Sequence, residues 1–419
     1  MSLSVSKPKY IVVTTNPPPL LPGGAQDTQV LTNVQGVNTW TYPQYNYKGS
    51  NLFPTNSVND TSITLADGPG IRQGGGALSP NGSVYFGPFG AWSSLNNITR
   101  AMKVNPYSNT VSYVDISVNG NYGYRGMACA NNGKIFALPG SVDTSNILVI
   151  DTLNNDTVSY ISGLNIDVSS YRGFVNFNNN IYTVPFNADN ILSINPVTNT
   201  ATVDISGINT TTYPLLGSNL GKFSGGVVGT DGNIYFIPQN ASRVMRYNPI
   251  SKTLLLSNTP DASGYSSGAL SSNSRIYMSP SNALNIAYID ISNYSLANLA
   301  VNRSITNFFD ASGSSTDISA LGLGGSMRFI GTILGPNGSI YCIPDNSSRI
   351  LVVDTSNNTA RQIYPTNNQN LTSTFGGAVL APNGQIYVCP NQSNSIPIIK
   401  TGLPSQQGWM YAPSFNKSP

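Results

Sequence analysis

Short apolar runs punctuate this chain, and they recur in a fixed order rather than at a helical spacing. Each unit opens with a glycine and a few apolar residues, turns through an Asn-Gly or similar polar pair, and continues as Ile-Tyr-x-x-Pro or a close variant. The seven copies read GALSPNGSVYFGP from Gly76, GMACANNGKIFALP from Gly126, GFVNFNNNIYTVP from Gly173, GVVGTDGNIYFIP from Gly226, GALSSNSRIYMSP from Gly268, GTILGPNGSIYCIP from Gly331 and GAVLAPNGQIYVCP from Gly377. They end at Pro88, Pro139, Pro185, Pro238, Pro280, Pro344 and Pro390, a period of about 50 residues, which is the length of a propeller blade. Asn-Gly and Asp-Gly supply the positive φ values that tight hairpins need, so each copy predicts two antiparallel strands.

A third apolar run follows each of the first six prolines, as in RAMKVNP (Arg100 to Pro106), NILVIDT (Asn146 to Thr152) and RILVVDT (Arg349 to Thr355). A polar turn then leads into Thr-rich runs such as NTVSYVDI, which predict a fourth strand. A four-stranded sheet of this kind has two apolar faces and covers neither by itself; packing against neighbours in a ring buries both and removes the exposed edges. The chain is therefore predicted to be all-β, a seven-bladed β-propeller with an extended N-terminal arm. After Ile396 to Gly402 the last copy has no Thr-rich run, whereas NDTSITLADG (Asn59 to Gly68) shows that pattern ahead of the first copy. This segment is expected to complete blade seven. The predicted organisation is an arm or adapter over residues 1–50, a propeller over 51–402 and a tail over 403–419.

Composition narrows the chemistry. The 419 residues contain no histidine, which excludes Ser-His-Asp and Cys-His catalysis, HExxH zinc sites and acid–base steps on imidazole. The 17 acidic residues fall mostly in turns, as at Asp151, Asp290 and Asp354, where a carboxylate bonds nearby backbone N–H groups. There is no GxGxxG at a strand–helix junction, no Walker loop and no EF-hand pattern. No cofactor and no metal are expected, and the chain is read as a non-enzyme. Cys129, Cys342 and Cys389 lie in apolar runs without CxxC spacing and are expected to be buried free thiols. A net charge of +3 is too mild for broad phosphate neutralisation, and no run of about 18 apolar residues occurs, so neither a nucleic-acid partner nor a membrane span is expected. Met1 to Ile11 lacks the pattern of a secretion signal.

Two sets of residues at the start of the repeats carry candidate chemistry. An aromatic stands two places before a blade-opening glycine at Tyr124, Tyr171, Phe223, Phe329 and Phe375, with Tyr265 one place further back. These are expected to pack between blades. Cations flank that position at Arg125 and Arg172, directly before the glycine, and at Arg72, Lys222 and Arg328, three before it. Alternate residues of a strand face opposite ways, so the five cations are expected to gather around one mouth of the central channel, where Arg forks suit a carboxylate or phosphate.

Residues 1 to about 50 do not fit the repeat. They hold Pro17 to Pro19 and the segment GGAQDTQVLTNVQGVNTW (Gly23 to Trp40), which resembles a short module of phage tail-fibre and other virion surface proteins on the strength of Gln29, Val30, Leu31, Thr32, Gly36 and Trp40. Gln29, Val30, Leu31 and Trp40 are the candidate anchoring residues. The repeats, over about residues 57 to 402, resemble the streptogramin-lyase, NHL and YVTN group of propellers. The lyase of that group depends on histidines, so the resemblance implies the fold and not that activity. The leading expectation is a virion surface or minor structural protein, anchored to capsid or fibre proteins by its arm and presenting a ring face to a host surface glycan. An acidic-sugar or small-molecule binding protein or lyase using channel-mouth Arg and Tyr, and an interaction propeller of the cell, are the alternatives.

Overall fold

The computed structural model describes residues 30–34, 37–41, 61–65, 73–88, 100–116, 123–140, 146–164, 166, 170–258, 263–283, 285–291, 301–305, 308–309, 315–316, 328–345, 347, 349–363, 375–391 and 395–401. The chain divides into two compact units, residues 1–52 and 53–419. In the first unit, where the sequence predicts an extended arm, Val30–Val34 and Val37–Thr41 pair as an antiparallel hairpin with Leu31 opposite Trp40. Gln29 and the Pro17 to Pro19 run lie outside the described residues.

The second unit holds seven sheets, five of them of four antiparallel strands in sequential order, and the innermost strand of each sheet packs against the innermost strand of the next. It is a seven-bladed β-propeller. Blade seven takes its three inner strands from Phe375–Leu380, Gln385–Pro390 and Ser395–Lys400 and its outermost strand from Thr61–Thr64, so the first and last described strands of this unit share one sheet. Blade six is widened at its outer edge by Phe308–Phe309, which pairs in parallel with Thr359–Ile363.

Among the described residues the buried side chains form seven clusters, one at each junction between neighbouring blades, rather than one shared core. The second strand of blade two, Lys134–Pro139, shows why: Ile135 and Ala137 enter the cluster shared with blade one, while Phe136 and Leu138 enter the cluster shared with blade three. A strand buried on both faces reads as a continuous apolar run, which is what the repeat shows. The blade-opening aromatics Tyr124, Tyr171, Phe223, Tyr265, Phe329 and Phe375 are all buried, each against the preceding blade.

The repeat tyrosine and the turn asparagine have a shared role. In blade one, Tyr85 donates its hydroxyl to Asp156 Oδ1 of blade two at 2.6 Å, and Asn81 Nδ2 donates to Thr152 O at 3.2 Å. Tyr277 and Asn273 of blade five repeat this on Asn358 (2.6 Å) and Thr355 O (3.0 Å) of blade six. Tyr387 and Asn383 of blade seven reach Asn109 Oδ1 (2.9 Å) and Pro106 O (2.9 Å) of blade one. The acceptors Asn109, Asp156 and Asn358 all have positive φ, a conformation that Asn and Asp tolerate in turns and that here aims their side chains at the neighbouring blade. Blade two has Phe136 in place of the tyrosine, and Lys134 Nζ takes over, reaching Asn199 Oδ1 of blade three at 3.0 Å. We expect Tyr387→Phe, which removes only the hydroxyl at the joint that closes the ring, to cost about 1–2 kcal/mol in urea unfolding. An unchanged midpoint would show that this bolt contributes nothing net.

Candidate functional site

The turns between first and second strands, and those between third and fourth, lie at one end of the propeller, and the remaining connections lie at the other. The innermost strands begin at that second end, here called the loop end. Their register is set by the aromatic, which pairs with the repeat proline as Tyr124↔Pro139, Tyr171↔Pro185, Phe223↔Pro238, Tyr265↔Pro280, Phe329↔Pro344 and Phe375↔Pro390, with Gln73↔Pro88 in blade one. The residue after each of these occupies one level of the ring: Gly74, Arg125, Arg172, Ser224, Ser266, Ile330 and Gly376 in blades one to seven. The two cations at this level are neighbours, on blades two and three.

One residue further in, the ring narrows to backbone. A Cβ on Gly75 would lie 3.2 Å from Gly126 Cα, one on Gly126 3.1 Å from Gly173 Cα, and one on Gly331 3.3 Å from Gly377 Cα. Glycine at this level lets adjacent innermost strands approach closely, and the side chains just above it crown the channel.

Arg172 is held over the ring of Phe186, with its guanidinium carbon 4.0 Å from the ring centroid. Its Nε is buried and makes no hydrogen bond. Burial, and after it the charge of Arg125, bring the Arg172 guanidinium down to about 10, while Asp345 acts in the opposite direction. Burial likewise lowers Arg125. Burial pushes the Asp345 carboxyl up to about 6, against the pull of Arg172. The serines of blades four and five are occupied by neighbouring strands: Ser224 Oγ donates to Ser266 O at 2.6 Å, and Ser266 Oγ lies 2.9 Å from Ser279 Oγ.

The other cations singled out in the sequence sit one residue before the aromatic. Lys222 is fully buried, with Nζ 3.2 Å from Asp189 Oδ1 and donating to Asn187 O (3.2 Å) and Asn219 O (3.0 Å). Burial lowers this ammonium, and Asp189 counters it. Arg328 is 8% exposed and donates from Nη1 to Ala283 O at 2.6 Å, while its own carbonyl accepts Asp345 N–H at 2.8 Å. Both side chains turn back onto the preceding blade and tie its loop down. Arg72 lies outside the described residues. Arg125 and Arg172 are thus the cations that the described residues bring together at the mouth.

Phe186 and Asp345, which sequence reasoning did not single out, share a position directly after the repeat proline. Its occupants are Phe89, Gly140, Phe186, Gln239, Ser281, Asp345 and Asn391, and the lone carboxylate among them was the available signal. Asp151 and Asp354 accept backbone N–H groups two residues on, at 3.3 and 2.9 Å, as expected of turn carboxylates, whereas Asp290 pairs with Arg275 at 3.1 Å. All three cysteines are free; Cys342 and Cys389 are buried, but Cys129 is only partly so. Among the described residues no cluster of His, Cys, Asp and Glu has the geometry to hold a metal, and no helix is long and apolar enough to cross a membrane.

No protein-family model and no curated protein matches the chain. Solved structures do. A streptogramin B lyase aligns with a TM-score of 0.59 at 14% identity, over 81% of this chain and 97% of its own. The likeness is one of fold. Virginiamycin B lyase from Staphylococcus aureus, seen as a catalytically inactive histidine-to-alanine variant with quinupristin, aligns at 0.61 and 13% identity over 81% of this chain and 98% of its own. YCF48 bound to a D1 peptide aligns at 0.56 and 10% identity over 82% and 97%. These structures correct the expectation that the chain is a non-enzyme, because the lyases are enzymes built on this architecture and the architecture therefore does not set the chain apart from enzymes. No histidine is available here to fill the place of the one replaced in the inactive lyase variant. Proteins of this fold include a lyase and a peptide-bound propeller.

Proposed function

We propose that this propeller binds an acidic ligand at the loop end of its channel, between Arg125 and Arg172. The observation that carries the reading is the pairing of two like-charged guanidiniums on adjacent blades, with the Arg172 Nε buried and making no hydrogen bond. Two like charges held side by side in a partly buried place repel one another, and an anion between them relieves that repulsion. Arg forks, and the stacking of Arg172 on Phe186, favour a planar carboxylate, so the ligand class is an acidic glycan of a host surface. An array of acidic glycans tests this. Binding by the full chain is expected to persist when residues 1–50 are removed and to disappear when Arg125 and Arg172 are both changed to Ala. Glycan binding that survives the double substitution would sink the reading.

The separate hairpin of the first unit supports a second element, attachment of the propeller to capsid or fibre proteins of a virion through residues 1–50. Particles assembled with a chain lacking those residues are then expected to contain no propeller, and finding it retained would count against attachment by the arm.

A further inference from the structure

We infer that Gly140 and Phe186, the residues directly after the repeat proline in blades two and three, are the positioning residues of the anion site, each seating one of the two arginines at the channel mouth. This rests on the reading of Arg125 and Arg172 as the site. The two arginines start from touching backbone: a Cβ on Gly126 would stand 3.1 Å from Gly173 Cα and 3.6 Å from Arg172 O. Long side chains leaving neighbouring points are free to diverge into solvent, so what each one rests on decides whether the guanidiniums stay together.

Arg172 rests on an aromatic ring. Its guanidinium carbon lies 4.0 Å from the Phe186 centroid, a contact that fixes the plane of the fork. Phe186 is fixed in turn: it is buried, its N–H donates to Ser170 O at 2.9 Å, and its carbonyl accepts Lys222 N–H at 2.8 Å. Arg125 rests on bare backbone. A Cβ on Gly140 would stand 2.8 Å from Arg125 Cγ, 3.1 Å from Gly123 O and 3.3 Å from Arg125 N, so the arginine stem fills the space that a side chain would need. Gly140 N–H donates to Gly123 O at 2.6 Å, which draws this backbone against the start of the innermost strand. Gly140 does not have a positive φ, so backbone conformation does not demand glycine here. The demand is for room under Arg125. Side chains already seated in this way lose less freedom when an anion enters between them, which favours binding without any added contact.

Titration of sulfate into the full chain, followed by NMR so that weak affinities are read, tests both seats. Gly140→Ala removes neither a charge nor a hydrogen bond, yet it is expected to weaken sulfate binding about tenfold by pushing Arg125 off its seat. In a chain that already carries Arg125→Ala, the same change is expected to alter affinity by less than about twofold. Phe186→Leu, which keeps the position apolar, is expected to cost about threefold in the presence of Arg172 and nothing further in Arg172→Ala. A substitution acting through the fold alone would cost the same with and without its arginine. Unchanged affinity in either single variant, or equal losses with and without the arginine, overturns the inference while leaving the anion site standing. Should Gly140→Ala fail to fold, the comparison at Phe186 decides by itself. Absence of sulfate binding by the unaltered chain removes the underlying site, and the inference with it.

Discussion

Replacing Gly126 by Val is expected to destabilise the propeller by about 3 kcal/mol, enough to shift the urea midpoint clearly or to prevent folding. Two independent terms add. Gly126 sits at φ +62°, where a side chain collides with its own backbone at a cost of roughly 1–2 kcal/mol. Its Cβ would also stand 3.1 Å from Gly173 Cα, and a backbone atom in a closed ring has no room to retreat, so a further 1–3 kcal/mol or so of overpacking follows, by roughly the usual cost of such crowding. Gly163 separates the two terms. It has φ +78°, and a Cβ added there would meet nothing within 4 Å, so Gly163→Ala is expected to show the backbone term alone, about 1 kcal/mol. Equal losses at the two positions would mean that close approach of the innermost strands contributes nothing.

The second large effect concerns the mouth of the channel. Arg172→Ala is expected to weaken binding of an acidic glycan or of sulfate by roughly tenfold to a hundredfold, the usual worth of one or two charge-assisted hydrogen bonds, with little loss of fold stability. Stability is expected to hold because the buried Arg172 Nε makes no hydrogen bond within the protein and burial of the guanidinium is unfavourable to its own charge. Arg125→Ala is expected to weaken the same ligand. Lys222→Ala is the contrasting case: its ammonium holds Asn187 O, Asn219 O and Asp189 together, so its loss is expected to appear in unfolding and not in ligand affinity. Equal effects of Arg172→Ala and Lys222→Ala on affinity would place the ligand elsewhere.

The fold was legible because the repeat encodes it in residues with local consequences. Asn-Gly pairs force hairpins, the continuous apolar second strand announces burial on both faces, and the opening aromatic packs on the preceding blade. The role of the repeat tyrosine was not legible, since its acceptor lies in the next blade, about 70 to 80 residues on for Tyr85 and Tyr277, and on the opposite side of the ring closure for Tyr387. The candidate site was legible only in part. Counted from the glycines, five cations share a parity, but the position before the aromatic lies at the margin of the strand, where Lys222 and Arg328 find loop carbonyls of the preceding blade. The position after it is held at the channel by the pairing of aromatic with proline. Asp345 stands directly after the repeat proline, where the other copies carry residues of unrelated chemistry, so no recurring residue type marked it in the sequence.

The central claim is that the loop-end mouth between blades two and three receives an anion. Crystals of the full chain soaked in selenate test it directly, because selenium marks the anion by its anomalous scattering. A peak between the guanidiniums of Arg125 and Arg172, lost when both are changed to Ala, is the predicted result; selenate bound only elsewhere on the surface, with none between those two side chains, would contradict it.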